Sequence, residues 1–294
     1  METISAKAQV LADSLPRLRA LKNSLVVIKY GGSVIDETIY ADSILTDVAF
    51  LRQIGVSVAM VHGGGKAISG KMREAGVVPK FVDGLRVTDK KTIKIVESVL
   101  QGTINPQIVK QLNAHGVHTS GLSGKKAFAA KRLVHEGTSG QKVDLGFVGD
   151  ITSVQKKNVE ALLKKGIVPV ITPLALGSGN ATLNINADVA AARLAGELKA
   201  SSLLFLSDVN GLLEDPQHPD STISRVSQTD IQGLIKTGVI QAGMLPKVDS
   251  ALNALRKGVK RVKMLNGQMA HCILIDLMID SRLGTEVVLA TENQ

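Results

Sequence analysis

Two lysines stand where lysines are out of place. Lys29 lies at the end of the apolar run Leu25–Tyr30, with Tyr30 between it and Gly31-Gly32. Lys247 follows Pro246 in Gly243-Met244-Leu245-Pro246-Lys247, which reads as a helix start with Pro near its first position. A cation in the first turn of a helix opposes the positive end of the macrodipole. An anion lodged between that helix start and Lys247 resolves the conflict, and conflicts of this kind often mark function. The plain alternatives are a solvated strand-end lysine at 29 and a lysine turned into water at 247.

Glycines gather beside them. Apolar runs end in Gly31-Gly32-Ser33, in Gly63-Gly64-Gly65 and in Asp208-Val209-Asn210-Gly211. Glycine lets backbone N–H groups approach an anion without a Cβ in the way, and a following helix N-terminus adds a favourable dipole. Phosphate is the anion such turns suit. The Walker pattern is absent, because no Gly-Lys-Ser/Thr occurs, and Ile68 takes the third glycine's place in a dinucleotide fingerprint at 63–68. Nucleotide bound here would be held by neither of the two commonest motifs.

The remaining polar residues are fewer. In Asn184-Ile185-Asn186-Ala187-Asp188, capping explains Asn186 and the first turn suits Asp188, which leaves Asn184 free to face a ligand. Arg86 lies just before a helix, and its fork suits a carboxylate; a surface arginine is the alternative. His115 and His118 have a glycine between them and no third ligand nearby, so they read as non-metal. The single cysteine, Cys272, excludes an intramolecular disulfide framework and a multi-cysteine zinc site.

These residues need a scaffold that brings strand ends together. Strand-like runs occur at 25–30, 56–62, 116–122, 167–172, 202–207 and 259–265, and helical patterns at 36–54, 65–76, 89–115, 155–165, 186–199, 228–237 and 244–257. Such alternation argues for an α/β fold with an open, mostly parallel sheet and helices on both faces. Lys126–Val134 and Gly146–Val154 read as a β-hairpin. In open sheets of this kind ligands sit beyond the carboxyl ends of the strands, where the glycines cluster. Ahead of the first strand, Leu11, Leu15, Leu18 and Leu21 share one helical face, and Pro16 interrupts that helix or starts a new one. The stripe packs on its own domain or on another subunit.

Composition closes off several classes. The 294 residues are 44% hydrophobic and 21% charged, an ordinary globular balance. The net charge of +9 admits anionic partners, but two Tyr, five Phe and no Trp leave little for base stacking. No apolar run is long enough to span a bilayer, and residues 1–23 carry no secretory h-region. No nucleic acid, no membrane and a cytoplasmic location are expected. The basic run Lys257-Gly-Val-Lys-Arg-Val-Lys263 reads as a strand with charged ends.

Taken together, the chain resembles the amino acid kinase family. The resemblance is carried by Val-Ile-Lys29-Tyr-Gly31-Gly32, Val-His62-Gly63-Gly64-Gly65, Asp-Gly84-Leu-Arg86-Val-Thr-Asp89, Gly146-Phe-Val-Gly149, Asn184-Ile-Asn186-Ala-Asp188, Asp208-Val-Asn-Gly211 and Met244-Leu-Pro-Lys247-Val. The Gly-Leu-Arg-Val-Thr-Asp and Asn-Ile-Asn-Ala-Asp segments point to the branch whose acceptor is N-acetyl-L-glutamate. The resemblance implies ATP-dependent phosphorylation of the γ-carboxylate of that acceptor, the second step of arginine biosynthesis. It implies Lys29 and Lys247 as transition-state lysines oriented by Asp188. Gly64, Gly65, Arg86 and Asn184 would hold the acceptor, and Gly31, Gly32, Asp208, Gly211 and Leu212 would contact ATP. Mg²⁺ would be bound mainly through ATP, with no protein metal site. Two lobes in one domain are implied, 25–200 for the acceptor and 201–294 for ATP, after an oligomerisation helix at 1–24.

Such a helix characterises an arginine-inhibited branch built as a hexamer, a trimer of dimers. In the matching inhibitor region His271 and Gly284 agree, whereas Asp276 replaces a usual Glu, Arg282 a usual Gly and, elsewhere, Ala242 a usual Gly. A shorter carboxylate and a bulky arginine weaken an arginine site there. The alternatives are a sister kinase for another carboxylate or carbamate, and a non-catalytic module on the same fold that binds arginine or a nitrogen signal.

Overall fold

The computed structural model describes residues 4–35, 38–136, 142–215, 217–218, 220–240, 244–279 and 282–289. Helix α1 (Ile4–Leu21) leads into strand β1 (Leu25–Tyr30), the short helix α2 (Gly32–Ile35), α3 (Thr38–Gln53), β2 (Ser57–His62) and α4 (Gly65–Glu74). A small hairpin, β3 (Phe81–Val82) and β4 (Leu85–Arg86), precedes α5 (Lys90–Val99), α6 (Asn105–Ala114) and β5 (Thr119–Leu122). Then come β6 (Phe128–Arg132), β7 (His135–Glu136), β8 (Lys142–Val143), β9 (Gly149–Val154), α7 (Lys156–Lys164), β10 (Val168–Ile171), β11 (Leu174–Leu176) and β12 (Thr182–Asn184). The last stretch carries α8 (Ala187–Glu197), β13 (Ser202–Ser207), β14 (Arg225–Ser227), α9 (Gln228–Lys236), α10 (Leu245–Arg256), β15 (Arg261–Asn266), α11 (Cys272–Met278) and β16 (Thr285–Val288).

Eight strands form one sheet in the order β14-β16-β15-β13-β1-β2-β10-β5. Every neighbouring pair is parallel except β15 and β16. The chain enters at β1 in the middle, extends to one side through β2, β10 and β5, and to the other through β13 and β15. Strand order therefore reverses around β1, and the crevice at such a switch point is where ligands bind. Side chains alternate across the sheet. Val26, Ile28 and Tyr30 join one core layer with Leu204 and Leu206, under α3, α5 and α6. Val27, Val61 and Phe205 join the other layer, under α8 and α10. Each fully buried Val, Leu, Ile or Phe in these layers contributes about 1.5–3 kcal/mol.

A second sheet, β12-β11-β6-β9, contains the expected hairpin, with β6 antiparallel to β9. Three expectations change. The helix at 89–115 is two helices joined by a π-helical turn, Leu100–Ile104, with Gly102 inside it. Helix α1 continues through Pro16 instead of breaking there; the ring removes one backbone donor, while Leu18 and Leu21 anchor the last turns on the core. The basic run near 260 places Arg261 at the start of β15 as expected, but Lys263 lies within the strand and is buried. Ala242 lies outside the described residues.

Candidate functional site

The apolar run of β1 stops at Gly31 because β13 comes too close for a side chain. A Cβ at Gly31 would stand 2.5 Å from the Leu206 carbonyl oxygen. The neighbouring Gly32 packs on the second glycine turn, where a Cβ would lie 3.1 Å from the Gly64 nitrogen and 3.2 Å from that of Gly65. Gly64 is the N-cap of α4 and bonds no first-turn amide through a side chain. The first turn of α4 contains no acid, so its dipole end is left for an anion from outside.

Between these turns and α8 lies a crevice of about 230 Å³, lined by Lys29, Gly32, Gly64, Gly65, Arg86, Asn184 and Asp188 among others. Asn186 caps α8, its side chain accepting from the Asp188 and Val189 amides, and so presents Asp188 in the first turn. Lys29 comes from the same face of β1 as Val27. Lys247 comes from the first turn of α10 behind Pro246. Both ammonium groups sit 3.1 Å from the same carboxylate oxygen, Asp188 Oδ1. Lys247 thus turns inward, with its Nζ 5.4 Å from the centre of the Phe205 ring.

Electrostatics sharpen this geometry. Burial would raise the Asp188 carboxyl, but Lys29 and Lys247 outweigh it and hold it down at about 2. Burial, and then the neighbouring charge of Lys29, pushes Lys247 below its ordinary value, partly offset by Asp188 and by the negative charge of Asp208. Two ammonium groups sharing one carboxylate oxygen are short of negative charge, and an entering anion relieves them.

Arg86 and Asn184 line the crevice but are not idle. The Arg86 guanidinium donates to the Gly65 carbonyl and the Ser69 hydroxyl, each at 2.9 Å, and lies 4.6 Å above the centre of the Phe81 ring. The expectation that Asn184 stands free is corrected: its amide donates to Thr88 Oγ1 at 3.3 Å, and Thr88 in turn donates to the Arg86 carbonyl. Sequence reasoning misses Ser69, Phe81 and Thr88. Thr88 alone had a signal, its place two residues after Arg86 on one face of an extended segment.

Of the other expected group, Gly32 alone lines the crevice. Gly31, Asp208, Gly211 and Leu212 lie at and beyond the carboxyl ends of β1 and β13. Gly211 adopts φ of 108°, where a Cβ would lie 2.4 Å from Thr285 Oγ1, and the Leu212 amide donates to that oxygen at 2.8 Å. Leu212 itself is buried in the core. Among the described residues, no three His, Cys, Asp or Glu side chains group to hold a metal ion. No helix among them is long and apolar enough to cross a membrane.

Known proteins resemble this chain along most of its length. The profile of the amino acid kinase family matches residues 24–266. An acetylglutamate kinase of Symbiobacterium thermophilum is 41% identical over 96% of this chain and 97% of its own. One from Aquifex aeolicus is 39% identical over 98% and 100%. Among solved structures, an N-acetylglutamate synthase from Neisseria gonorrhoeae complexed with coenzyme A and N-acetyl-glutamate superposes with a TM-score of 0.84 at 22% identity. That match covers 99% of this chain and 64% of the synthase, a likeness of fold. A carbamate kinase from Giardia superposes at 0.62, with 15% identity over 90% and 99% of the two chains. The open sheet, the glycine turns at its switch point and these full-length relatives agree: the chain belongs to the amino acid kinase family.

Proposed function

We propose that the chain transfers the γ-phosphoryl group of ATP to the γ-carboxylate of N-acetyl-L-glutamate, giving N-acetyl-L-glutamyl 5-phosphate and ADP, the second step of arginine biosynthesis. The observation that carries this reading is the pair of ammonium groups converging on Asp188 Oδ1 beside a glycine-lined crevice. The relatives of about 40% identity named above supply the acceptor.

In this reading a carboxylate oxygen of the acceptor attacks the γ-phosphorus, and the bond to the ADP oxygen breaks. No general base is needed, because the acceptor is already ionised. The protein positions two anions and neutralises charge that spreads over the phosphoryl oxygens. Lys29 and Lys247 supply that charge from the two sides of the switch point, and Asp188 holds them apart from bulk water until they are used. The Gly64 and Gly65 amides, Arg86 and Asn184 bind the acceptor. Gly31 and Gly32 contact ATP from the acceptor lobe, residues 25–200, and Asp208, Gly211 and Leu212 from the nucleotide lobe, 201–294. Asp188 is committed to the lysines, and the donor set suits a Mg²⁺ ion carried by the nucleotide, which supplies further neutralisation of the phosphates when bound.

The N-terminal helix fits a second copy of the chain. Leu18 and Leu21 pack on the core, whereas Val10, Leu11 and Leu15 are exposed, Leu11 by 71%. Deleting residues 1–24 is expected to lower the oligomer order in light scattering and leave turnover intact. For arginine as inhibitor we expect no action through Asp276, because that carboxylate already holds the fork of Arg261, at 2.6 and 2.8 Å.

The test is ADP release with acetylglutamate, glutamate, aspartate and carbamate, each with and without arginine. Preference for acetylglutamate is expected. Preference for another acceptor favours a sister kinase, and effector binding by calorimetry without any phosphoryl transfer favours a binding module. Arg86→Ala should raise KM for the acceptor more than KM for ATP.

A further inference from the structure

His62 ends β2, one residue before the glycine turn, and is wholly buried. Its ring makes two polar contacts. Nδ1 lies 2.9 Å from the Gly63 carbonyl oxygen, and Nε2 lies 3.2 Å from the side-chain amide nitrogen of Asn105. The same amide nitrogen donates to the Val170 carbonyl at 2.8 Å. The reverse amide orientation would set Oδ1 against that carbonyl, so the nitrogen faces both partners. Asn105 then donates to Nε2, and the ring proton sits on Nδ1, from which it is donated to Gly63. Burial pushes His62 down to about 4, so the ring stays neutral and this single tautomer persists.

The consequence runs through one peptide plane. The Gly63 carbonyl and the Gly64 N–H belong to the same trans peptide and point in opposite directions. Holding the carbonyl oxygen with His62 therefore fixes the direction of the Gly64 N–H. On the other side of the residue, the Gly63 amide donates to the Tyr30 carbonyl at 2.8 Å, which ties the turn to β1.

The placement of Asn105 is itself a special arrangement. It follows the π-helical turn Leu100–Ile104, whose wider loop resets the facing of α6 relative to α5. The turn brings Leu100 and Ile104 against Gly64, where a Cβ would lie 2.8 and 2.6 Å from their methyl groups. Gly121 in β5 leaves room for the Asn105 amide, since a Cβ there would lie 2.3 Å from Oδ1. A helix without the extra residue would carry Asn105 about 100° further round.

We propose that Asn105 and His62 are positioning residues for the acceptor: through a single relay they set the Gly63–Gly64 peptide so that its N–H faces the crevice. This rests on the assignment of acetylglutamate to that crevice. The relay acts on binding and orientation of the acceptor and leaves ATP untouched.

The first test uses the native chain. Nitrogen-15 NMR of the histidine rings should show His62 as the Nδ1–H tautomer throughout about pH 5–9. The Nε2–H tautomer, or titration within that range, overturns the relay. The second test is kinetic. His62→Phe removes the donor to Gly63 and should raise KM for acetylglutamate about tenfold, the scale of one misdirected hydrogen bond, with KM for ATP within about twofold. His62→Asn keeps a donor near the Nδ1 place and should recover most of that loss. Equal loss in both variants, or a parallel rise in KM for ATP, reduces His62 to a packing residue and overturns the proposal. Turnover of acetylglutamate by the native chain tests the acceptor separately; should another acceptor prove preferred, the same split is read with that acceptor.

Discussion

Two carboxylates in this molecule are each flanked by two cations, and they are used in opposite ways. Asp188 faces Lys29 and Lys247, both at 3.1 Å and both on Oδ1. Asp276, in α11, faces Arg261 and Lys263, which lie two residues apart on one face of β15. There the Arg261 fork takes both oxygens, at 2.6 and 2.8 Å, and Lys263 stands 3.8 Å away. The Asp276 side chain is fully buried, and Arg261 also leans on Glu286. Arginine makes a planar, two-point bond that closes both ends of the pair; lysine is a point charge on a flexible stem that can swing to another anion. Lys29 and Asp188 also line a crevice, and Arg261, Lys263 and Asp276 do not. Similar charge counts thus give a strut in one place and a poised pair of cations in the other.

The largest expected effect breaks the strut. Asp276→Asn leaves the buried Lys263 without its carboxylate and the half-buried Arg261 with Glu286 alone, and should cost about 3 kcal/mol, the low end of the usual penalty for removing one side of a buried pair. Urea unfolding reads the loss, and kcat of the folded variant should stay within about twofold. A large fall in kcat at unchanged stability would erase the distinction drawn between the two sites. Next come the lysines. Lys29→Ala or Lys247→Ala should lower kcat by roughly 10²–10³, the scale of one preorganised charge-stabilising contact. Near-normal turnover in both variants would show that the convergence on Asp188 is another strut.

The two sites also differ in how visible they are in the sequence. Lys247 is legible because it breaks a local rule: a cation where the dipole wants an anion. β1 and β13 match the expected runs residue for residue, because strands buried on both faces read as continuous apolar stretches ended by Gly31 or Asp208. The strut is not legible in this way. Arg261 and Lys263 alternate with apolar residues as a solvated edge would, and only the fold brings α11 over them. Short elements escape for a related reason: β3, β4, β8 and β14 offer two or three residues each, too few to show a period. The π-helical turn escapes because its residues continue a helical pattern, with Gly102 as the single local sign. Asn184 looks free in the sequence because its partner, Thr88, is distant along the chain and meets it only across the crevice wall.

The smallest effect is read in acid, at Asp188. Asp188 sits at about 2 in the folded chain, well below the ordinary 3.8, since the two lysines favour its charged form more than burial opposes it. A carboxyl depressed by folding stabilises the native state fully above its unfolded value, and that stability disappears as pH falls through the folded value. The window is therefore about pH 4 to pH 2, and its size is about 2 kcal/mol, at roughly 1.4 kcal/mol for each unit of difference. Asp188→Asn keeps the shape and removes the titration. Urea unfolding across this window should show the native chain losing about 2 kcal/mol more than that variant. Equal acid sensitivity in the two would mean that the lysines do not hold Asp188 ionised.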